Sequence, residues 1–149
     1  IIACIRVSHA SAPTGVVSDA SVSVFSDDGY AGIYITDGSG VLAAHAFNWP
    51  SGPTVASQTI ARDAWVVVTM SHQSGQLRCR VNGGVWATTE SGATENLTSS
   101  VRAVVRGASI APGKIEYAHI ATFNTAQTDA AISAVEHWLA LDVGITPWW

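Results

Sequence analysis

Charge is what this sequence has least of. Only 12% of its 149 residues are Asp, Glu, Lys or Arg, and the seven basic residues are scattered rather than clustered. With a formal net charge of −4, the chain offers no electrostatic footprint for a phosphate backbone, which argues against a DNA or RNA partner. It lacks any uninterrupted apolar run near the roughly 20 residues that cross a bilayer, so no membrane insertion is expected. The opening IIACIRVSHA has neither a basic leader nor a small-residue cleavage site. Because it starts at Ile1 and not at methionine, the expectation is that residues precede it, among them an N-terminal strand. Two cysteines are too few for a disulfide framework. Cys4 and Cys79 both fall in strand-like stretches and are read as buried reduced thiols packing as small hydrophobes, with a bridge as the alternative.

The signatures of catalysis are missing too. Hydrolysis of a glycoside with retention needs two carboxylates about 5–5.5 Å apart, and alternate residues of one strand would supply them. Glu90, Glu95, Glu116 and Glu136 stand alone and are read as solvated or rim carboxylates. There is no Gly-x-Ser-x-Gly elbow, and His9, His45, His72, His119 and His137 show no paired zinc spacing. Asp27-Asp28-Gly29 and Asp37-Gly38 are oxygen-rich, yet no loop alternates Asp and Asn in the manner of a dedicated calcium site, so turn formation is their commoner meaning. The reading is of a non-enzyme with no catalytic residue, no assigned metal ligand and no cofactor, with calcium at these Asp turns as the alternative.

What is present is apolar and turn-punctuated. At 48% hydrophobic residues the chain supports one domain, residues 1–149, with a sizeable core. Its organising stretch is Trp65 to Gly83, WVVVTMSHQSGQLRCRVNG. Trp65 to Met70 is β-branched and aromatic, the composition of a central strand. Gly75 turns the chain, Leu77, Cys79 and Val81 alternate with Arg78 and Arg80, and Asn82-Gly83-Gly84 turns it again. Ile1 to Val7 reads as a strand buried on both faces. Further strands are expected at Val16–Phe25, Tyr30–Thr36, Val41–Phe47, Val55–Ile60, Val85–Thr88, Val101–Val105 and Ile115–Phe123, with Ile115, Tyr117, His119, Ala121 and Phe123 on one face. His9–Gly15 and Thr89–Ser100 read as loops.

One helix is expected near the end, packed on a sheet edge or rim. Thr128-Asp129 supplies a cap and an acidic first turn, and Gly144 a left-handed stop. Ile132, Val135, Trp138 and Leu139 form the apolar stripe, which makes Trp138 a core residue.

The order of WVVVT at 65–69, LRCRVNG at 77–83, AHIATFN at 118–124, TDA at 128–130, VEHWL at 135–139 and GI at 144–145 resembles the concanavalin A-like lectin/glucanase superfamily. Within it the chain is most similar to laminin-G-like (pentraxin-like) modules of bacterial and phage proteins. The likeness covers roughly residues 60–146. It departs from the family pattern at Gln127, at His119 and at Asp142-Val143. It implies an all-β fold, an antiparallel β-sandwich (a concanavalin A-like jelly roll) with one short C-terminal helix. It further implies a lectin-like, carbohydrate-binding or adhesion module, placed on a phage virion or an extracellular or bacterial cell surface. The alternative is a structural or decoration subunit of a viral particle that contacts other virion proteins and binds no glycan. Fold alone does not choose between them.

A sugar site needs an aromatic platform for the apolar face of a pyranose, with neighbouring groups for its hydroxyls. Trp49 in NWPSGP, with Asn48 and His45 before it, and Tyr30 beside Asp28 supply these, so the ligand site is expected at Asp28, Tyr30, His45, Asn48 and Trp49. Trp49 reads equally well as a ring that plugs one end of the sandwich. Arg78 and Arg80 share a face and suit an acidic sugar or an acidic neighbour, though a solvated polar face is the commoner outcome. Trp148 and Trp149 are expected to meet another subunit or the preceding strand, which makes the chain an oligomer candidate.

Overall fold

The computed structural model describes residues 1–9, 22–26, 31–38, 41–48, 54–73, 75–90, 113–123 and 125–146. Among these the chain forms strands β1 (Ile2–His9), β2 (Val22–Ser26), β3 (Ala31–Gly38), β4 (Val41–Asn48), β5 (Thr54–Thr59), β6 (Trp65–Gln73), β7 (Gln76–Val81), β8 (Ala87–Glu90) and β9 (Gly113–Ala121), and helix α1 (Asp129–Asp142). All strand pairs are antiparallel. They build a five-stranded sheet, β8-β7-β6-β1-β9, and a four-stranded sheet, β2-β3-β4-β5. The described residues are therefore all-β with one helix. The expected strand at 101–105, the start of that at 16–25, residues 91–100 and the Trp148-Trp149 pair lie outside the described residues.

Local chemistry sets the centre of the larger sheet. β1 and β6 carry the longest apolar runs, and they sit side by side with Val66 to Val68 and Ile2 to Ile5 all buried. The turns come where the backbone must go left-handed: Gly75 at φ 73° between β6 and β7, then Asn82 at φ 50° and Gly83 at φ 64°. Gly84 N–H closes the second turn on the Val81 carbonyl at 3.0 Å. Asn82 also extends the ladder, because its N–H donates to the Val67 carbonyl and its Oδ1 accepts from Val67 N–H, each at 2.8 Å.

Side chains of the five-stranded sheet alternate between two layers. Ala3, Ile5, Val7, Val66, Val68, Met70, Leu77 and Cys79 pack with Ile33, Ile35, Leu42, Ala44 and Ala56 of the other sheet. On the opposite face Ile2, Cys4 and Val67 pack beneath Ile132, Leu139 and Ala140 of α1. The helix thus lies across the face of the sheet and not on an edge or rim. Each large side chain so buried contributes roughly 1.5–3 kcal/mol. As expected, neither cysteine is in a disulfide and both are buried, in different layers.

Three further expectations are corrected here. In β9 the register slips between Cys4↔His119 and Ile5↔Tyr117, a bulge at Ala118. Tyr117 and Ile120 join the layer between the sheets while Ala118 and Ala121 join the helix layer, so the five alternate residues do not share a face. β8 begins at Ala87, leaving Val85 87% exposed. On the helix the buried residues are Ile132, Glu136, Leu139 and Ala140, and Trp138 is 60% exposed.

Glu136 explains the rotation of the helix. It is 0% exposed and not a solvated carboxylate. The Arg80 guanidinium grips it with Nε to Oε1 at 2.9 Å and Nη2 to Oε2 at 2.7 Å, and the Thr69 hydroxyl donates to Oε1. Arg80 Nη2 also donates to Ser133 Oγ at 3.1 Å. Arg78 pairs with Asp129 at 2.9 Å in the first helical turn, and both guanidinium groups lie over the Trp86 ring, at 4.4 and 4.2 Å. The two arginines clamp acidic neighbours in place of forming a solvated face. Helix ends follow the local signals: Thr128 Oγ1 accepts from Ala131 N–H at 3.2 Å, and beyond Val143 the turn through Gly144, φ 73°, bonds Ile145 N–H to the Ala140 carbonyl at 2.8 Å.

Removing one member of a buried ion pair strands the other charge. Glu136→Ala should therefore cost about 3–5 kcal/mol in urea unfolding, while Arg80→Met with Glu136→Leu should cost far less because both charges go together. Equal losses in the two proteins would show that the helix does not depend on the pairing.

Candidate functional site

Two groupings merit chemical examination, one on each sheet. Of the residues expected to bind ligand, Asp28, Tyr30 and Trp49 lie outside the described residues, whereas His45 and Asn48 are placed by the backbone of β4. His45 pairs with Tyr34 and Ser57; Asn48, the last residue of β4, pairs with Ala31 and Thr54. Ser26, the last residue of β2, pairs with Gly32. The ends of β2 and β4 and the starts of β3 and β5 thus meet at one end of the four-stranded sheet. Those strand ends are where the chain runs into and out of residues 27–30 and 49–53, which lie outside the described residues. His45 sits about 10 Å further along β4. Asp37 and Gly38 are the last two residues of β3 and pair with Leu42 and Val41 of β4, so this Asp-Gly, expected to turn the chain, lies within the ladder.

The second grouping went unread in the sequence. The β9 bulge brings His119 to the helix side of the sheet, where its Nε2 lies 2.5 Å from Oδ2 of Asp142, the last helical residue. Trp138, one helical turn earlier, sets its ring 5.4 Å from the imidazole at a tilt of 52°. With Asp142 ionised, Nε2–H donates and Nδ1 of a neutral ring is left to accept. The three side chains combine an open indole face, an imidazole and a half-exposed carboxylate. The signal that could have exposed them is the pair of carboxylates Asp129 and Glu136 on one helix face, which places Trp138 on another.

Cys4 lies directly opposite His119 in the β1–β9 register. Thiol, imidazole and carboxylate are the residue types of a nucleophilic triad, but the environment runs the wrong way. Cys4 is fully buried, and burial, reinforced by the Asp142 charge, pushes its thiol up to about 11. Reactive thiols are those held down towards neutrality. Cys4 therefore acts as packing. Among the described residues no three of His, Cys, Asp or Glu converge closely enough to hold a metal ion.

Comparison with protein-family models, with curated proteins and with solved structures finds no match to this chain.

The burial of the thiols sets an expected outcome. In native protein at pH 8, Cys4 and Cys79 should react with a thiol-titrating disulfide far more slowly than free cysteine. Denaturation without reductant should release both. Rapid native labelling lost in a Cys4→Ser variant would mean that Cys4 is an accessible nucleophile after all.

Proposed function

We propose that the protein is a non-catalytic carbohydrate-binding or adhesion module, built as a concanavalin A-like jelly-roll sandwich of the laminin-G-like type and carried on a phage virion or bacterial surface protein. The resemblance read from the sequence falls on β6, on β7 with its Asn-Gly turn, on β9 and on α1 with its Gly-Ile stop. Two antiparallel sheets sharing one apolar layer accord with that architecture. The observation that carries the functional reading is the register of the four-stranded sheet. Ala31 pairs with Asn48, so the segment holding Asp28 and Tyr30 and the segment opening with Trp49 leave neighbouring strand ends. A stacking ring, a phenol, a carboxylate and an amide, carried by residues next in the chain to those strand ends, are the parts a sugar site requires.

The test is a glycan array with matched variants. Truncating a central aromatic typically costs on the order of 2 kcal/mol, a ~30-fold loss, which takes a weak sugar interaction below detection. Trp49→Ala should lose binding at unchanged circular dichroism and melting temperature. A variant that binds like the parent places the site elsewhere. One that unfolds identifies Trp49 as an end plug. A parent that binds nothing turns the reading to a decoration subunit meeting other virion proteins. In the same preparations β-glucans, alginates and agars should stay uncut, and cleavage abolished by Glu116→Gln or Glu90→Gln would overturn the non-catalytic assignment.

A further inference from the structure

We propose that His119, Trp138 and Asp142 form a second carbohydrate subsite, on the helix side of the five-stranded sheet, that stacks a neutral sugar ring on the Trp138 indole. The inference rests on the glycan-binding reading but not on the Trp49 segment, since the two groupings belong to different sheets.

Among the described residues, neither apolar cluster uses this ring. Ile132, Leu139 and Ala140 bury the apolar side of α1, while Trp138 stays 60% exposed and the adjacent Leu141 53% exposed. The ring is nonetheless held. His119 packs against it at 5.4 Å, Asp142 fixes His119 at 2.5 Å, and the helix cannot roll because Glu136 is locked to Arg80 and Thr69 beneath it. A ring ordered in advance gives up little rotamer freedom when a ligand arrives, which is how binding residues differ from stray surface aromatics. Polar groups stand beside it. The Asp142 carboxylate, half exposed, keeps lone pairs beyond the one His119 uses, and the imidazole has a second nitrogen. Both suit sugar hydroxyls flanking a stacked pyranose. The cluster contains no Lys or Arg, and its carboxylate would repel a uronic acid or sulfated sugar, which selects neutral rings.

Two subsites on separate surfaces would let one chain grip two stretches of a polysaccharide, raising avidity without tightening either contact. The probes are laminarin, dextran and mannan cast into native gels, with alginate as the acidic control. The parent should be retarded by at least one neutral polymer and not by alginate. Trp138→Ala should weaken that retardation by about 10- to 30-fold, and Asp142→Asn by a smaller factor, both at parental melting temperature. If Trp138→Ala migrates like the parent while Trp49→Ala loses retardation, this proposal falls and the loop site stands. The reverse result keeps the proposal and removes the loop site. Retardation by none of the neutral polymers overturns both. Should Trp138→Ala lose its fold, the isosteric Asp142→Asn decides, and parental affinity in that variant overturns the proposal.

Discussion

A carboxylate sealed from water fixes the outer half of this molecule. Glu136 has three hydrogen bonds from Arg80 and Thr69 to offset its desolvation, and those donors stand on adjacent strands, β7 and β6. An apolar residue at that position would pack at several helix rotations. A fork gripping two oxygens accepts one. Asp129 on Arg78 and Asp142 on His119, each with its carboxylate more than half exposed, secure the helix ends but are worth only about 0–1 kcal/mol apiece. The buried pair thus decides which residues of α1 face the sheet, and the outward position of Trp138 follows from it.

The same arrangement accounts for the composition. The five-stranded sheet is covered on both faces, by the second sheet and by the helix, so β1 and β6 have no solvent side and run nearly continuously apolar where a half-exposed strand would alternate. A short chain that buries a sheet on both faces has few positions left for charge, and much of the charge it keeps on that sheet is spent inward or in pairs.

Strands, turns and helix ends were legible because their causes are local. The β-branched run at Trp65 to Met70, the Asn82-Gly83 turn, the Thr128 cap and the Gly144 stop each act within a few residues and stand where the sequence puts them. What failed depended on partners far along the chain. The stripe Ile132, Val135, Trp138, Leu139 has helical period, but so does Ile132, Glu136, Leu139, Ala140, and hydrophobicity alone selects the first. Choosing the second requires matching Arg78 and Arg80, about 7 Å apart on one strand face, with Asp129 and Glu136, two helical turns apart on one helix face. The β9 bulge shifted His119 and Ala121 for a similar reason: nothing within β9 announces that Ile5 will pair with Tyr117 while Cys4 pairs with His119. At the expected sugar site, the β3–β4 register is the part that structure adds to the sequence reading.

The turn at Asn82 carries an implication for how the molecule keeps to itself. β7 ends at Val81, one residue short of covering Val67, and a central strand left open there would present a free N–H and C=O to any passing chain. Asn82 closes both with its own N–H and its side-chain oxygen while holding a positive φ. Few side chains meet both demands. Glycine takes the backbone angle but brings no acceptor, alanine brings neither ease nor acceptor, and a lysine would leave the strand unzipped by one rung. The residue works as a hem: it finishes the woven edge of the sheet so that it does not fray or catch on its neighbours.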